Sequence, residues 1–119
     1  MNLSKMIAQV KNHPDADRIG MILCHNGVVR GSARDGRVVS GLRVRVDHQQ
    51  LASVIDTHRK YPGIVDIRVD IVADRDLAVG EDVMFIVVAG DIREHVIAAL
   101  TDTLNAVKSK VTRKTQFFI

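Results

Sequence analysis

Aromatic residues are scarce in this chain of 119 residues: three Phe, one Tyr and no Trp, 3% in all. A core must therefore be aliphatic, and the stacking platforms on which single-stranded nucleic acids lie are nearly missing. There is one cysteine, Cys24, which excludes an intramolecular disulfide and fits a reducing cytoplasm. No apolar run approaches the roughly 20 residues of a membrane helix, and the N-terminus lacks the apolar stretch of a signal peptide. The sequence has no Gly-rich phosphate loop and no nucleophile elbow, and the histidines His13, His48, His58 and His95 lack metal-ligand spacing. No metal and no cofactor is expected. What the chain does have is 46% hydrophobic residues and a net charge of +3, with most of the excess near the C-terminus. That balance suits an anionic small molecule or an acidic protein partner.

The length suggests one domain, residues 1–119, with residues 1–18 as a possible arm and 112–119 as a tail. "GMILCHNGVVR" reads as a largely buried strand and "GSARDGR" as a polar turn. "VVSGLRVRVDH" alternates as a half-exposed strand, expected to pair with the first as a hairpin. "DHQQLASVIDTHRKYPG" is a helix capped by Asp47, with Leu51, Val54 and Ile55 inside and Pro62–Gly63 as the stop. "IVDIRVDIV" alternates again, and "DVMFIVVAG" reads as a central strand. "DIREHVIAALTDTLNAVKSKV" reads as one long amphipathic helix capped by Asp91. Its expected stripe is Ile92, Val96, Ile97, Leu100, Leu104, Val107 and Val111. The order ββαββα predicts an α+β fold, helices packed on an antiparallel sheet.

Three cations stand out. Arg30, between two glycines at the end of the first strand, can grip a phosphate or carboxylate, or simply reach water. Arg93 opposes the dipole of the last helix, which calls for either an anion docked there or a nearby carboxylate. Lys108 follows Val107 and lies one turn beyond Leu104, at the edge of the apolar stripe, where it can serve as acid, base or imine-forming amine. Lys110, Arg113 and Lys114 read as more exposed, and cations at a helix C-terminus are favourable without any further role. Cys24 and His25 are adjacent on a strand, point to opposite faces, and cannot form a dyad.

In order and spacing, "GMILCHNGVVRG", "LAVGEDVMFIVVAG", the Arg-led helix and "VKSKV" resemble the large subunit of molybdopterin synthase over roughly residues 20–116. Arg93 and Lys108 are fifteen positions apart, as are the helix arginine and catalytic lysine of that family. The resemblance implies an α/β hammerhead fold and a sulfurtransferase. In that family cyclic pyranopterin monophosphate receives two sulfurs to become molybdopterin. The sulfur arrives as a thiocarboxylate on the C-terminal Gly-Gly tail of a small ubiquitin-like carrier, and large subunits form a homodimer. By position, Lys108 matches the catalytic lysine. Lys114 stands beside the place of a second lysine, which is Thr115 here. Arg30 and Arg93 match substrate-binding arginines, and Val28, Val29, Ile92, Thr115 and Gln116 fall at neighbouring substrate-pocket positions.

The chain departs from the family pattern in several places. Ile92 replaces a histidine, His25 an aromatic and Val28 a basic residue; a Pro and a Trp after the lysine are missing, and the chain stops at Ile119. These departures leave room for a non-catalytic dimeric module that binds a ubiquitin-like partner or an anion. A basic nucleic-acid binder is a third reading, with binding that weakens steeply in salt. On one straight helix Arg93 and Lys108 would be about 22 Å apart at 1.5 Å per residue. Either the helix breaks, or the two residues reach one site from different protomers.

Overall fold

The computed structural model describes residues 1–119. Three α-helices pack with two antiparallel three-stranded sheets. The elements are α1 (Leu3–Lys11), β1 (Met21–Val28), β2 (Val39–Val46), α2 (His48–Arg59), β3 (Ile64–Ile71), β4 (Leu77–Ala78), β5 (Asp82–Gly90), α3 (Arg93–Ala106) and β6 (Thr112–Phe118). The first sheet runs β1-β5-β3 and the second β4-β2-β6. The expected α+β class holds. No helix is long and apolar enough to cross a membrane.

β5 is buried from Val83 to Gly90, which explains its unbroken apolar run. Its two faces serve different clusters. Phe85, Val87 and Ala89 meet Met6 and Val10 of α1. Met84, Ile86 and Val88 join Val96, Ala99, Val107 and Val111 in the main core. The first residues are therefore no arm. Asn2 caps α1 by accepting a hydrogen bond from the Lys5 N–H at 3.0 Å, and the helix seals one face of the first sheet.

Four further expectations are corrected. β1 does not pair with β2; β1 pairs with β5, and β2 with β4 and β6. The loop between them is pinned by a lone bridge, Ser32 to Val38. Strand alternation fixes which face is buried but not which neighbour supplies the hydrogen bonds, so the hairpin was the wrong partner choice. Residues 112–118 are no tail but strand β6, with Lys114 opposite Val44 and Gln116 opposite Leu42. The last helix is α-helical only to Ala106 and then widens into a π-helical turn, Val107–Val111. Its buried stripe is Val96, Ala99, Thr103, Val107 and Val111, whereas Ile92 and Ile97 are each 49% exposed.

Of the two expected acidic caps, Asp47 caps its helix and Asp91 does not. Asp47 accepts from the Gln50 N–H at 3.1 Å and caps α2. Asp91 lies one residue before the cap position, held by Ile92, and accepts from the Ile92 N–H at 2.7 Å. α2 buries Val54 and His58, with Leu51 and Ile55 half-buried. Gly63, at φ +77°, turns the chain beside Asp91 and His95, leaving no room for a side chain. Buried Asp66 holds both Arg59 and Arg68 at 3.1 Å and ties α2 to β3.

Candidate functional site

A groove lies where the end of β1, the β1–β2 loop, β2, the π-helical turn and β6 meet. One part, of about 360 Å³, is lined by His25, Gly27, Arg34, Lys108, Thr112 and Lys114 among others. A second part, of about 300 Å³, adds Arg30, Ser32 and Gln116. The two share Val28, Arg34, Leu42, Lys108 and Lys114, so they form one continuous depression.

Each wall follows from local sequence. Val107 and Val111 are both buried and clamp the π turn to the core, which leaves Lys108 between them on the groove side. Such widened turns recur at functional sites. On β6 the side chains alternate. Thr112, Lys114 and Gln116 line the groove; Arg113, Thr115 and Phe117 fall on the other face. The C-terminal cations are thereby sorted. Lys108 and Lys114 enter the groove, while Lys110 and Arg113 border a separate hollow with Arg45. Thr115, an expected pocket residue, is on the wrong face, opposite Arg43.

Arg30 follows β1 rather than closing it, and its Nε donates to the Ser32 carbonyl at 2.7 Å. That bond orients the guanidinium at the rim. Val28 and buried Val29 also line this end. Arg34 is a groove residue that sequence reasoning missed, because "GSARDGR" looked like a mere polar turn. Its loop neighbour Arg37 is occupied by Asp35 at 2.8 Å and by the Phe118 ring at 3.9 Å, whereas Arg34 is in no ion pair. No sequence signal separates Arg34 from Arg37, since only the fold shows which of the two is paired.

His25 also lines the groove. Burial, and then the positive charge of Lys108, holds its imidazole below the ordinary histidine value. Cys24 packs on the opposite face of β1 near α1, and burial pushes its thiol up, away from the reactive thiolate. The groove walls thus carry Arg30, Arg34, Lys108 and Lys114 and no carboxylate. Such a surface concentrates anions and can bind a phosphate or carboxylate through charge-assisted hydrogen bonds.

Arg93 and Ile92 are elsewhere. They start α3, at the end away from the π turn, and neither lines the groove. Arg93 Nε is 3.3 Å from Glu94, in a pair so exposed that it contributes little. α3 is unbroken from Arg93 to Ala106, about 20 Å by helical rise. The carboxylate expected as one explanation of Arg93 is present, and between Arg93 and Lys108 the helix changes from α to π after Ala106 without ending.

No curated protein matches the chain in sequence. Its fold is that of several solved structures. A molybdopterin synthase from Staphylococcus aureus superposes with a TM-score of 0.82 at 17% identity, over 100% of this chain and 86% of that one. Molybdopterin cofactor biosynthesis protein E from Burkholderia multivorans gives 0.76 at 18%, over 100% and 84%. A complex of subunits 1 and 2 of molybdopterin-converting factor from Helicobacter pylori gives 0.72 at 13%, over 99% and 84%. The family model described as MoaE protein matches residues 1–110. The chain belongs to the MoaE protein family.

Proposed function

We propose that this protein is the large subunit of a molybdopterin synthase, transferring sulfur from a thiocarboxylated ubiquitin-like carrier to cyclic pyranopterin monophosphate. One observation carries the reading: Lys108 and Lys114, from different elements, line a groove that holds four cations and no carboxylate. Arg30 and Arg34 hold the substrate phosphate, with Val28, Val29 and Gln116 shaping the pocket beside them. Lys108 is the acid/base or anchoring amine at the reacting carbon. Lys114 receives the carrier's thiocarboxylate and offsets developing negative charge. The lysine sought at Thr115 is supplied by Lys114, since only Lys114 faces the groove. The carrier's Gly-Gly tail enters beside it. The Helicobacter pylori relative, a complex of two converting-factor subunits, supports a small-subunit partner.

Arg93 reaches the groove of a second copy in a homodimer, because α3 sets it about 20 Å by helical rise from Ala106, where the π turn that carries Lys108 begins. Incubating the protein with thiocarboxylated carrier and cyclic pyranopterin monophosphate tests the function. Dithiolene product is expected; none, beside a working large subunit as control, rejects it. A second reading, a dimeric module that binds the carrier without turnover, is favoured by Ile92, an exposed apolar residue where the family has a histidine. Carrier captured with no product is its signature.

A further inference from the structure

The thiocarboxylate reaction, taken from the proposed function on which this inference rests, sets a requirement that no lysine or arginine in the groove meets alone. Sulfur leaves the carrier when it bonds to a substrate carbon, and the carrier's acyl group is then joined to the substrate through that sulfur. To release it, water must add its oxygen to the acyl carbon. The carbon–sulfur bond to the acyl group breaks, and its electron pair stays on sulfur as a dithiolene thiolate. The carrier departs as an acid that ionises to solvent. Nothing is oxidised or reduced, but the attacking water must lose a proton to a base.

With Lys108 engaged at the reacting substrate carbon, the groove offers one further candidate. Its walls carry no Asp, Glu, Tyr or Cys. Around His25, the β1–β2 loop contributes Arg34, the π turn Lys108 and β6 Lys114, all cations, while β2 contributes Leu42 and Val44. On β5, directly opposite, stands Ile86. His25 Nε2 lies beside Gly27, where an added methyl would come within 3.3 Å of it, so the absent side chain makes room for the ring at the cavity wall. Only burial and Lys108 act on its proton affinity, with no hydrogen bond to either ring nitrogen. A ring free of internal partners can take one from water.

We propose that His25 is the general base of this groove, its Nε2 taking the proton of the water that cleaves the acyl–sulfur bond between carrier and substrate. Burial, and then the charge of Lys108, favours the neutral ring that can accept that proton, and the groove's cations attract the anions that react there. Lys108 and Lys114 stabilise the negative charge that appears on the acyl oxygen as water adds.

Single turnover of the whole protein with thiocarboxylated carrier and cyclic pyranopterin monophosphate separates the steps. With His25→Phe, the sulfur bond to substrate is expected to form, and the carrier–substrate thioester to accumulate in mass spectra. Product release should slow by about a hundredfold, the lower range for a lost general base, and added imidazole should restore part of it. His25→Gln, a polar replacement, should behave alike if it folds, as circular dichroism would show. In the unaltered protein the release rate should fall at acid pH, with a midpoint below the ordinary histidine value. Lys108→Ala should raise the His25 midpoint followed by imidazole NMR. Unchanged release and pH profile in both His25 variants would overturn the proposal while leaving the proposed function intact. No product from the unaltered protein would overturn both.

Discussion

Arg93 starts α3 and Lys108 lies in the π turn that continues it, and the fold treats these two cations differently. At the C-terminal end a π turn, clamped by Val107 and Val111, sets Lys108 into a groove shared with β1, β2 and β6. At the N-terminal end Arg93 reaches only exposed Glu94, and Ile92 and Ile97 stand half in water. One end is built into a site, and the other is presented outward with apolar neighbours. The difference teaches that a spacing along a helix places residues on the element, not in a common pocket. An unbroken helix holds its ends apart, so a site that needs both takes them from two chains.

The largest expected effect comes from breaking the built end. Lys108→Ala should lower sulfur transfer by about 10²–10⁴-fold with stability changed by less than about 0.5 kcal/mol, as for other exposed side chains. Rates paired with urea melts check both halves. Breaking the support beneath the groove gives the converse. Ile86, fully buried opposite His25, should cost about 2–5 kcal/mol as Ile86→Ala, read as a shifted denaturation midpoint. Lys114→Ala should weaken transfer by about ten- to a hundredfold, the worth of a charge-assisted hydrogen bond, while Lys110→Ala, outside the groove, should leave the rate alone.

The smallest effect belongs to the outward end. Asp91 is held below its usual carboxylate value by the hydrogen bond from His95 Nδ1 at 2.7 Å, and then by the Ile92 N–H. A depressed carboxyl stabilises fully above its unfolded value, about 3.9. That contribution is lost as pH falls through the lowered folded value. Asp91→Asn should therefore remove a small part of the stability at neutral pH and flatten its acid dependence, seen in melts from pH 6 to 2. A larger effect of Asp91→Asn than of Ile86→Ala would show that the start of α3 is a structural keystone rather than an outward face.

Some of this was legible in the chain. The central place of β5 was, because only a strand covered on both faces can be apolar throughout. The edge position of Lys108 was too, since it directly follows Val107 of the buried stripe. β6 was not: "TRKTQFF" puts Thr112, Lys114 and Gln116 on one face and Arg113, Thr115 and Phe117 on the other, so no apolar period marks either. Its pairing with β2, settled by a neighbour some seventy residues away, makes it a strand. The π turn was equally hidden, since the same Val107-to-Val111 spacing fits an α-helix. Arg34 was overlooked because charge in a turn is ordinary, and only the fold shows which of the loop's arginines is left unpaired.

Mixing a Lys108→Ala chain with an Arg93→Ala chain tests most directly whether one groove draws on both ends of α3 from two copies. Each altered protein alone should be nearly inactive in sulfur transfer. The mixed dimer should recover a fraction of the unaltered rate, because one of its two grooves keeps both residues. Mixed dimers confirmed by mass spectrometry that recover nothing would contradict the account.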